Sequence, residues 1–204
     1  PTYEAIDPVR FIGNHSSGKM GHEIAISAAQ LGAEVILISG PSQLKTQHHL
    51  IDLIEVTSAQ DMFEACDKNF RKVNVFIAAA AVADYRPKNV ASQKIKKSTS
   101  TLSIELEKTI DILETLGNQK ENQFIIGFAL ETEDEIENAK LKIIKKNLDL
   151  IVLNSLNDEG AGFGGPTNKV TFINKDFLIE SKSLKLKEEV AKDILEKVVL
   201  HLKK

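Results

Sequence analysis

Apolar residues fall along this chain in short unbroken runs, and between the runs they recur with the spacing of helices. Residues 18–31 read Gly-Lys-Met-Gly-His-Glu-Ile-Ala-Ile-Ser-Ala-Ala-Gln-Leu, a helical pattern closed by Gly32. Residues 34–39, Glu-Val-Ile-Leu-Ile-Ser, follow as a buried strand that stops at Gly40-Pro41. A second strand is expected at 53–56. Thr57-Ser-Ala-Gln60 then has capping-box spacing and opens a helix to about Lys72. Residues 73–79 give the next buried strand.

The stretch 80–100 has no clear period, whereas 101–106 (Thr-Leu-Ser-Ile-Glu-Leu) alternates as a half-exposed strand does. A short helix near 111–117 leads to a strand at 123–129. Thr132-Glu-Asp-Glu135 has capping-box spacing again and predicts a helix ending near Asn147, with another apolar strand at 148–153. Residues 154–168, rich in Gly and Asn, predict a flexible loop. Residues 169–174 and 177–180 can pair as a hairpin, and 185–203 predicts a terminal amphipathic helix.

Strands that alternate with helices, and that are themselves continuous apolar runs, predict a mainly parallel sheet covered on both faces. The expectation is one α/β, Rossmann-like domain over 1–204 with a small added hairpin. The opening Pro1-Thr2-Tyr3-Glu4 reads as mid-loop and without a strand. Such a domain normally sets its first strand just before a loop of this kind, so a strand upstream of residue 1 is expected.

Composition narrows the function. Apolar residues make up 42% and charged residues 27%, an ordinary globular balance, and the net charge of −3 argues against a duplex nucleic-acid partner. The longest apolar runs, such as 75–83, are too short to cross a bilayer. No signal-like segment opens the chain, and the single Cys66 excludes an internal disulfide and fits a reducing compartment. A cytoplasmic protein with no membrane partner is expected.

Ligands of such folds gather beyond the carboxyl ends of the strands, and three loops fall there. Residues 7–21, with Arg10, Asn14, Ser16 and Gly18, run into a helix whose first N–H groups favour an anion; Ser16 or Ser17 serving only as a cap is the plainer alternative. Residues 78–87 carry the small residues Ala78, Ala79 and Ala80, which let a base or phosphate approach the backbone, and Asp84, which either holds a hydroxyl or a cation or caps a turn before Pro87. Lys94-Ile95-Lys96-Lys97 suits a triphosphate but equally a solvated loop. Lys142 and Lys146 lie one turn apart on a helix face, where they either meet a ligand or stabilise the helix dipole. No Ser-His-Asp order and no zinc spacing is present, and Cys66 reads as a packing residue.

Taken together, Asp-Pro-Val-Arg-Phe-Ile-Gly-Asn-His-Ser-Ser-Gly-Lys-Met-Gly at 7–21, Ala-Ala-Val-Ala-Asp-Tyr-Arg-Pro at 80–87 and Lys-Ile-Lys-Lys at 94–97 closely resemble bacterial phosphopantothenate–cysteine ligase. Gly-Phe-Ala-Leu-Glu-Thr at 127–132 and Lys-Lys-Asn-Leu-Asp at 145–149 extend the resemblance over almost the whole chain, in order. In many bacteria this ligase is the C-terminal half of a bifunctional protein whose N-terminal half is an FMN-dependent decarboxylase. If this chain is such a half, the resemblance implies an upstream decarboxylase domain as a partner, with FMN confined to it.

For this chain the resemblance implies a two-step reaction with Mg2+ and CTP as co-substrate. The carboxylate of 4′-phosphopantothenate attacks the α-phosphate of CTP, and cysteine then displaces CMP. By position, the nucleotide site would comprise Ala78, Ala79, Ala80, Asp84, Lys94, Asp111, Ile112, Leu113, Glu114, Phe128, Lys142 and Lys146. Asn14 would stand at the acyl intermediate, with Arg10, Ser16 and Gly18 near the phosphopantothenate end. Asn14 and Lys94 are the residues expected to carry catalysis, no metal ligand is assigned, and a homodimer sharing the acid's site is implied. Thr109-Ile110 replaces the Asn-Pro usual before Asp111. An NAD(P) oxidoreductase and a non-catalytic nucleotide-sensing dimer are the competing readings; neither Gly-x-Gly-x-x-Gly nor Tyr-x-x-x-Lys occurs.

Overall fold

The computed structural model describes residues 1–96, 101–155 and 165–203. The chain opens with an antiparallel hairpin of β1 (Tyr3–Ala5) and β2 (Phe11–Gly13), then α1 (Lys19–Gln30). Next come β3 (Val35–Ser39), β4 (Ile51–Glu55), α2 (Ala59–Phe70) and β5 (Val75–Ala78). A second hairpin, β6 (Tyr85–Pro87) with β7 (Leu106–Lys108), leads to α3 (Ile112–Asn118) and β8 (Phe124–Glu131). Then follow α4 (Glu135–Lys145), β9 (Leu150–Ser155), β10 (Thr167–Asn168), β11 (Val170–Asn174), β12 (Ile179–Ser181), β13 (Lys185–Leu186) and α5 (Lys187–Leu202).

The central sheet has the order β12-β11-β9-β8-β5. Its strands β5, β8 and β9 are parallel, while β11 and β12 add antiparallel strands at one edge. β3 and β4 form a separate parallel pair. β3 is not hydrogen-bonded to β5, and the residues of both strands stay half-buried although nearly all are apolar.

Alternation along β8 and β9 splits the core into two layers, because successive side chains of a strand point to opposite faces. Phe124, Ile126, Leu150 and Val152 pack with Ile24 of α1 and with Val190, Ile194 and Val198 of α5. Ile125, Ala129, Ile151 and Leu153 pack against Met62, Cys66 and Phe70 of α2, Leu116 of α3 and Ile143 of α4. Helices thus cover both faces, as the patterning predicts. Cys66 is buried, and burial pushes its thiol up to about 12, so it packs rather than reacts. Among the described residues no helix is long and apolar enough to cross a membrane.

Several boundaries differ from expectation for local reasons. Tyr3–Ala5 is a strand, not mid-loop, because the chain folds back on Phe11–Gly13 and stacks Tyr3 on Phe11 with ring centroids 3.8 Å apart. The cap of α2 is Ser58, one residue beyond Thr57: its side chain accepts from the Asp61 N–H, and the Asp61 carboxylate accepts from the Ser58 N–H at 2.9 Å. A carboxylate accepts more strongly than the Gln60 amide, which decides the register. Helix α4 lacks the box read at 132–135; it starts after Asp134, which takes a left-handed φ of 45° and makes no side-chain cap bond. The strand expected at 101–106 begins only at Leu106, where Tyr85–Pro87 supplies a partner. Most of the loop expected at 154–168 lies outside the described residues, though Asn154 and Ser155 continue β9.

Gly117 fixes how closely α3 approaches the end of α4. A Cβ at 117 would fall 2.0 Å from the Lys146 carbonyl oxygen, a main-chain atom with little room to move. The Asn147 side chain also donates to the Gly117 carbonyl at 3.1 Å. Gly117→Ala is therefore expected to cost about 1–3 kcal/mol by overpacking. Thermal unfolding should show a drop of roughly 2–4 °C per kcal/mol for a chain of this size. An unchanged melting temperature would show that the contact relaxes freely.

Candidate active site

The candidate residues fall into two groups, one around the loops that follow β2 and β5 and one where α3 begins and α4 ends. After β2, Asn14 to Gly18 lead into α1. Gly18 occupies the N-cap position with φ 79°, a left-handed conformation that suits glycine. The Gly18 N–H donates to Ser16 Oγ at 3.3 Å and the Lys19 N–H to Ser17 Oγ at 3.4 Å, while α1 has no side-chain cap bond. The two serines therefore shape the turn. His22, one turn on, is a satisfied interior residue: Nδ1 lies 2.5 Å from Thr46 Oγ1, and burial lowers its pKa.

Asn14 joins the first loop to the second. Its amide nitrogen donates to the carbonyls of Ala81 (3.3 Å) and Val82 (3.1 Å), just past Ala78, Ala79 and Ala80 at the end of β5. The Ala83 N–H donates to Thr2 Oγ1, and Thr109 Oγ1 donates to the Ala83 carbonyl at 2.5 Å. Thr109 thus holds the second loop from the β7 side. Asp84 presents an exposed side chain, and its carbonyl accepts from the Thr109 N–H at 3.0 Å.

Arg10 is turned inward. Its guanidinium meets the buried Asp7 carboxylate and also donates to the Ile95 carbonyl at 2.9 Å, while 41% of its side chain stays accessible. Lys94 and Lys96 flank Ile95 and are exposed; Lys97 lies outside the described residues.

A second cluster forms where α3 begins and α4 ends. Asp111 caps α3 by accepting from the Glu114 N–H at 3.0 Å. Lys146 lies 2.8 Å from the Asp111 carboxylate, Lys145 lies 2.8 Å from Glu114, and Lys142 pairs with Glu131 at the end of β8. Partial burial would raise the Asp111 carboxyl, but Lys146, the Glu114 N–H and Lys145 outweigh it and hold it below the ordinary value. Ile112 is buried beneath this cluster, Leu113 is half-buried beside it, and the half-buried Phe128 packs on the α1–α5 side of the sheet. The structure therefore joins Asp111 and Glu114 to the lysines at the end of α4, and Asn14 to the alanine loop. It gives Lys94 and Asp84 no direct contact.

Three participants escape a reading of the sequence. Glu131 and Lys145 enter only through pairing between elements. Asp7 has a local signature, an Asp-Pro turn, but its reach to Ile95 spans 88 residues. Among the described residues no three His, Cys, Asp or Glu side chains group so as to hold a metal ion.

The chain is similar to known proteins. The model of the DNA/pantothenate metabolism flavoprotein C-terminal domain matches residues 1–201. A cysteine/cysteine sulfinic acid decarboxylase from an unknown prokaryotic organism is 50% identical over 200 residues, which cover 98% of this chain and 56% of that protein. The Coenzyme A biosynthesis bifunctional protein CoaBC of Bacillus subtilis (strain 168) is 46% identical over 198 residues, 97% of this chain and 49% of that protein. The chain spans about half the length of the curated relatives it matches. A crystal structure of the C-terminal domain of a CoaBC protein is similar with a TM-score of 0.83 and 47% identity, covering 100% of this chain and 93% of that one. With fold and sequence similar over nearly the whole chain, the chain belongs to the DNA/pantothenate metabolism flavoprotein C-terminal domain family.

Proposed function

We propose that this chain joins 4′-phosphopantothenate to cysteine at the expense of CTP, as a ligase of coenzyme A biosynthesis. The observation that carries the reading is the bridging of the alanine-lined end of β5 to the loop before α1 through Asn14, and to the turn before α3 through Thr109, where Asp111 meets Lys146. Relatives named as coenzyme A biosynthesis bifunctional proteins support it. The name of the 50%-identical relative belongs to a protein of which this chain matches little more than half. We assign decarboxylation, and the FMN it uses, to the part of such proteins outside the match.

In this reading the phosphopantothenate carboxylate attacks the α-phosphorus of CTP, and pyrophosphate leaves. The cysteine amine then attacks the acyl carbon, loses a proton and expels CMP, leaving the amide. The chemistry asks mainly for positioning and charge neutralisation. Ala78, Ala79 and Ala80 admit the nucleotide to the main chain, with Asp84, Phe128 and the 111–114 turn around it. Lys142 and Lys146 exchange their carboxylate partners for nucleotide groups, and Lys94 offsets triphosphate charge. Ser16, Gly18 and the accessible part of Arg10 face the phosphate of the acid, and Asn14 stands at the acyl intermediate. Mg2+ would enter with the triphosphate and help to neutralise its charge, with no protein ligand assigned to it among the described residues.

We further propose a cytoplasmic homodimer. Exposed Val9, Phe11, Tyr85, Val90 and Leu106 lie on or beside the two hairpins, an apolar surface suited to a second copy that completes the acid's site.

The test is pyrophosphate release with phosphopantothenate and Mg2+, run with each of the four nucleoside triphosphates. CTP is expected to be at least about tenfold better than ATP, a difference of one or two base contacts. Equal rates would remove the nucleotide preference alone. No release with any nucleotide, together with thermal stabilisation by NAD(P), would replace the ligase reading with an oxidoreductase one.

A further inference from the structure

Asp7 is a carboxylate shut off from solvent, at the tip of the β1–β2 hairpin and outside the apolar core. Its side chain has 0% exposure. A buried charge is costly unless hydrogen bonds and an opposite charge satisfy it. Asp7 Oδ1 accepts from the N–H groups of Val9 and Arg10, each at 2.9 Å, which closes the hairpin turn. Asp7 Oδ2 accepts from Arg10 Nε at 3.0 Å and from the Ile95 N–H at 3.1 Å. Arg10 in turn donates to the Ile95 carbonyl at 2.9 Å. Both polar groups of Ile95 are therefore held by the two members of one ion pair. A further bond, Ala91 N–H to the Ile6 carbonyl at 3.0 Å, ties the same loop to the same hairpin.

We propose that Asp7 is a positioning residue of the nucleotide site: with Arg10 it grips the main chain of Ile95 and sets where Lys94 and Lys96 present their charges. The proposal rests on the ligase reading of the site. Turn closure alone needs only the bonds from Val9 and Arg10; the bond to Ile95 adds nothing to the turn. It does fix the backbone between two exposed lysines, so the cost of ordering that loop is met before a triphosphate arrives. Arg10 suits the task better than lysine, because its planar fork reaches a carboxylate and a carbonyl at once.

Asp7→Asn keeps the size of the side chain, removes its charge and sets an NH2 group against donors. With folding checked by circular dichroism, two measurements follow. Trypsin cleavage after Lys94 and Lys96, identified by mass spectrometry, is expected to quicken about tenfold as the loop opens more often. Pyrophosphate release with CTP is expected to fall about tenfold, yet in a Lys94→Ala, Lys96→Ala background the same change should add less than about twofold, since the charges it places are already gone. Cleavage at the wild-type rate, or an equal loss in both backgrounds, overturns the proposal. Should Asp7→Asn fail to fold, Arg10→Lys keeps the ion pair but loses the second arm to Ile95, and the same quickening of cleavage is expected. Cleavage needs no nucleotide, so it decides on the grip even if wild-type protein releases no pyrophosphate and the ligase reading falls.

Discussion

Lys94→Ala is expected to slow pyrophosphate release about a hundredfold, the usual loss when one preorganised charge contact to a transition state is removed. Lys94 is exposed, yet its neighbour Ile95 is fixed at both main-chain polar groups by Asp7 and Arg10. A lysine on a solvated loop would contribute little, because its charge would have to be ordered anew for each substrate. A lysine beside a fixed peptide loses less freedom on binding. The loss should appear in the first half-reaction, whereas amide formation from a supplied acyl-cytidylate should change little. The exposed position also means that the variant should fold and melt as wild type does. Near wild-type pyrophosphate release in Lys94→Ala would return this residue to the solvated surface.

The second large effect is expected at Asn14. Asn14→Asp should reduce pyrophosphate release by no more than about tenfold, the worth of one or two hydrogen bonds. Amide formation should fall about a hundredfold, so that the acyl-cytidylate accumulates and is seen by mass spectrometry. Both observed bonds use the amide nitrogen, which donates to the Ala81 and Val82 carbonyls. Aspartate replaces that donor with an anion facing two carbonyl oxygens and loosens the bridge between the loops. The same anion opposes the negative charge that grows on the acyl oxygen as the cysteine amine attacks, and this separates the two steps. Equal loss in both half-reactions, or a markedly lower melting temperature, would make Asn14 a brace between the loops and nothing more.

How much of this was legible in the sequence depends on the range of the forces involved. The unbroken apolar runs Phe124-Ile-Ile126 and Leu150-Ile-Val-Leu153 predict buried strands, and the two core layers follow from the alternating faces of a strand. The hairpins β1–β2 and β6–β7 left no such trace, because three-residue strands are too short to show a period and owe their form to a partner. Spacing alone ranks Gln60 with Asp61 and so puts the cap of α2 at Thr57, whereas charge separates the two and puts it at Ser58. The candidate site is legible as a set through resemblance, loop by loop. What resemblance did not supply is who holds whom: Glu131 on Lys142, Glu114 on Lys145, and Asp7 across 88 positions on Ile95. Such pairs are products of the folded arrangement, and one member alone looks like any surface charge.

The pairing of Lys142, Lys145 and Lys146 with Glu131, Glu114 and Asp111 bears on selectivity against the other anions of a cell. Three unpaired cations at one helix end would project a positive field about a Debye length into solvent, roughly 8–10 Å at cellular salt. Phosphate, sulfate and nucleic acid would all gather there. With a carboxylate against each ammonium, the cluster is close to neutral when seen from a distance. An anion gains from it only by displacing a carboxylate at contact range, which a ligand of the right shape achieves while an inorganic ion competes on poor terms.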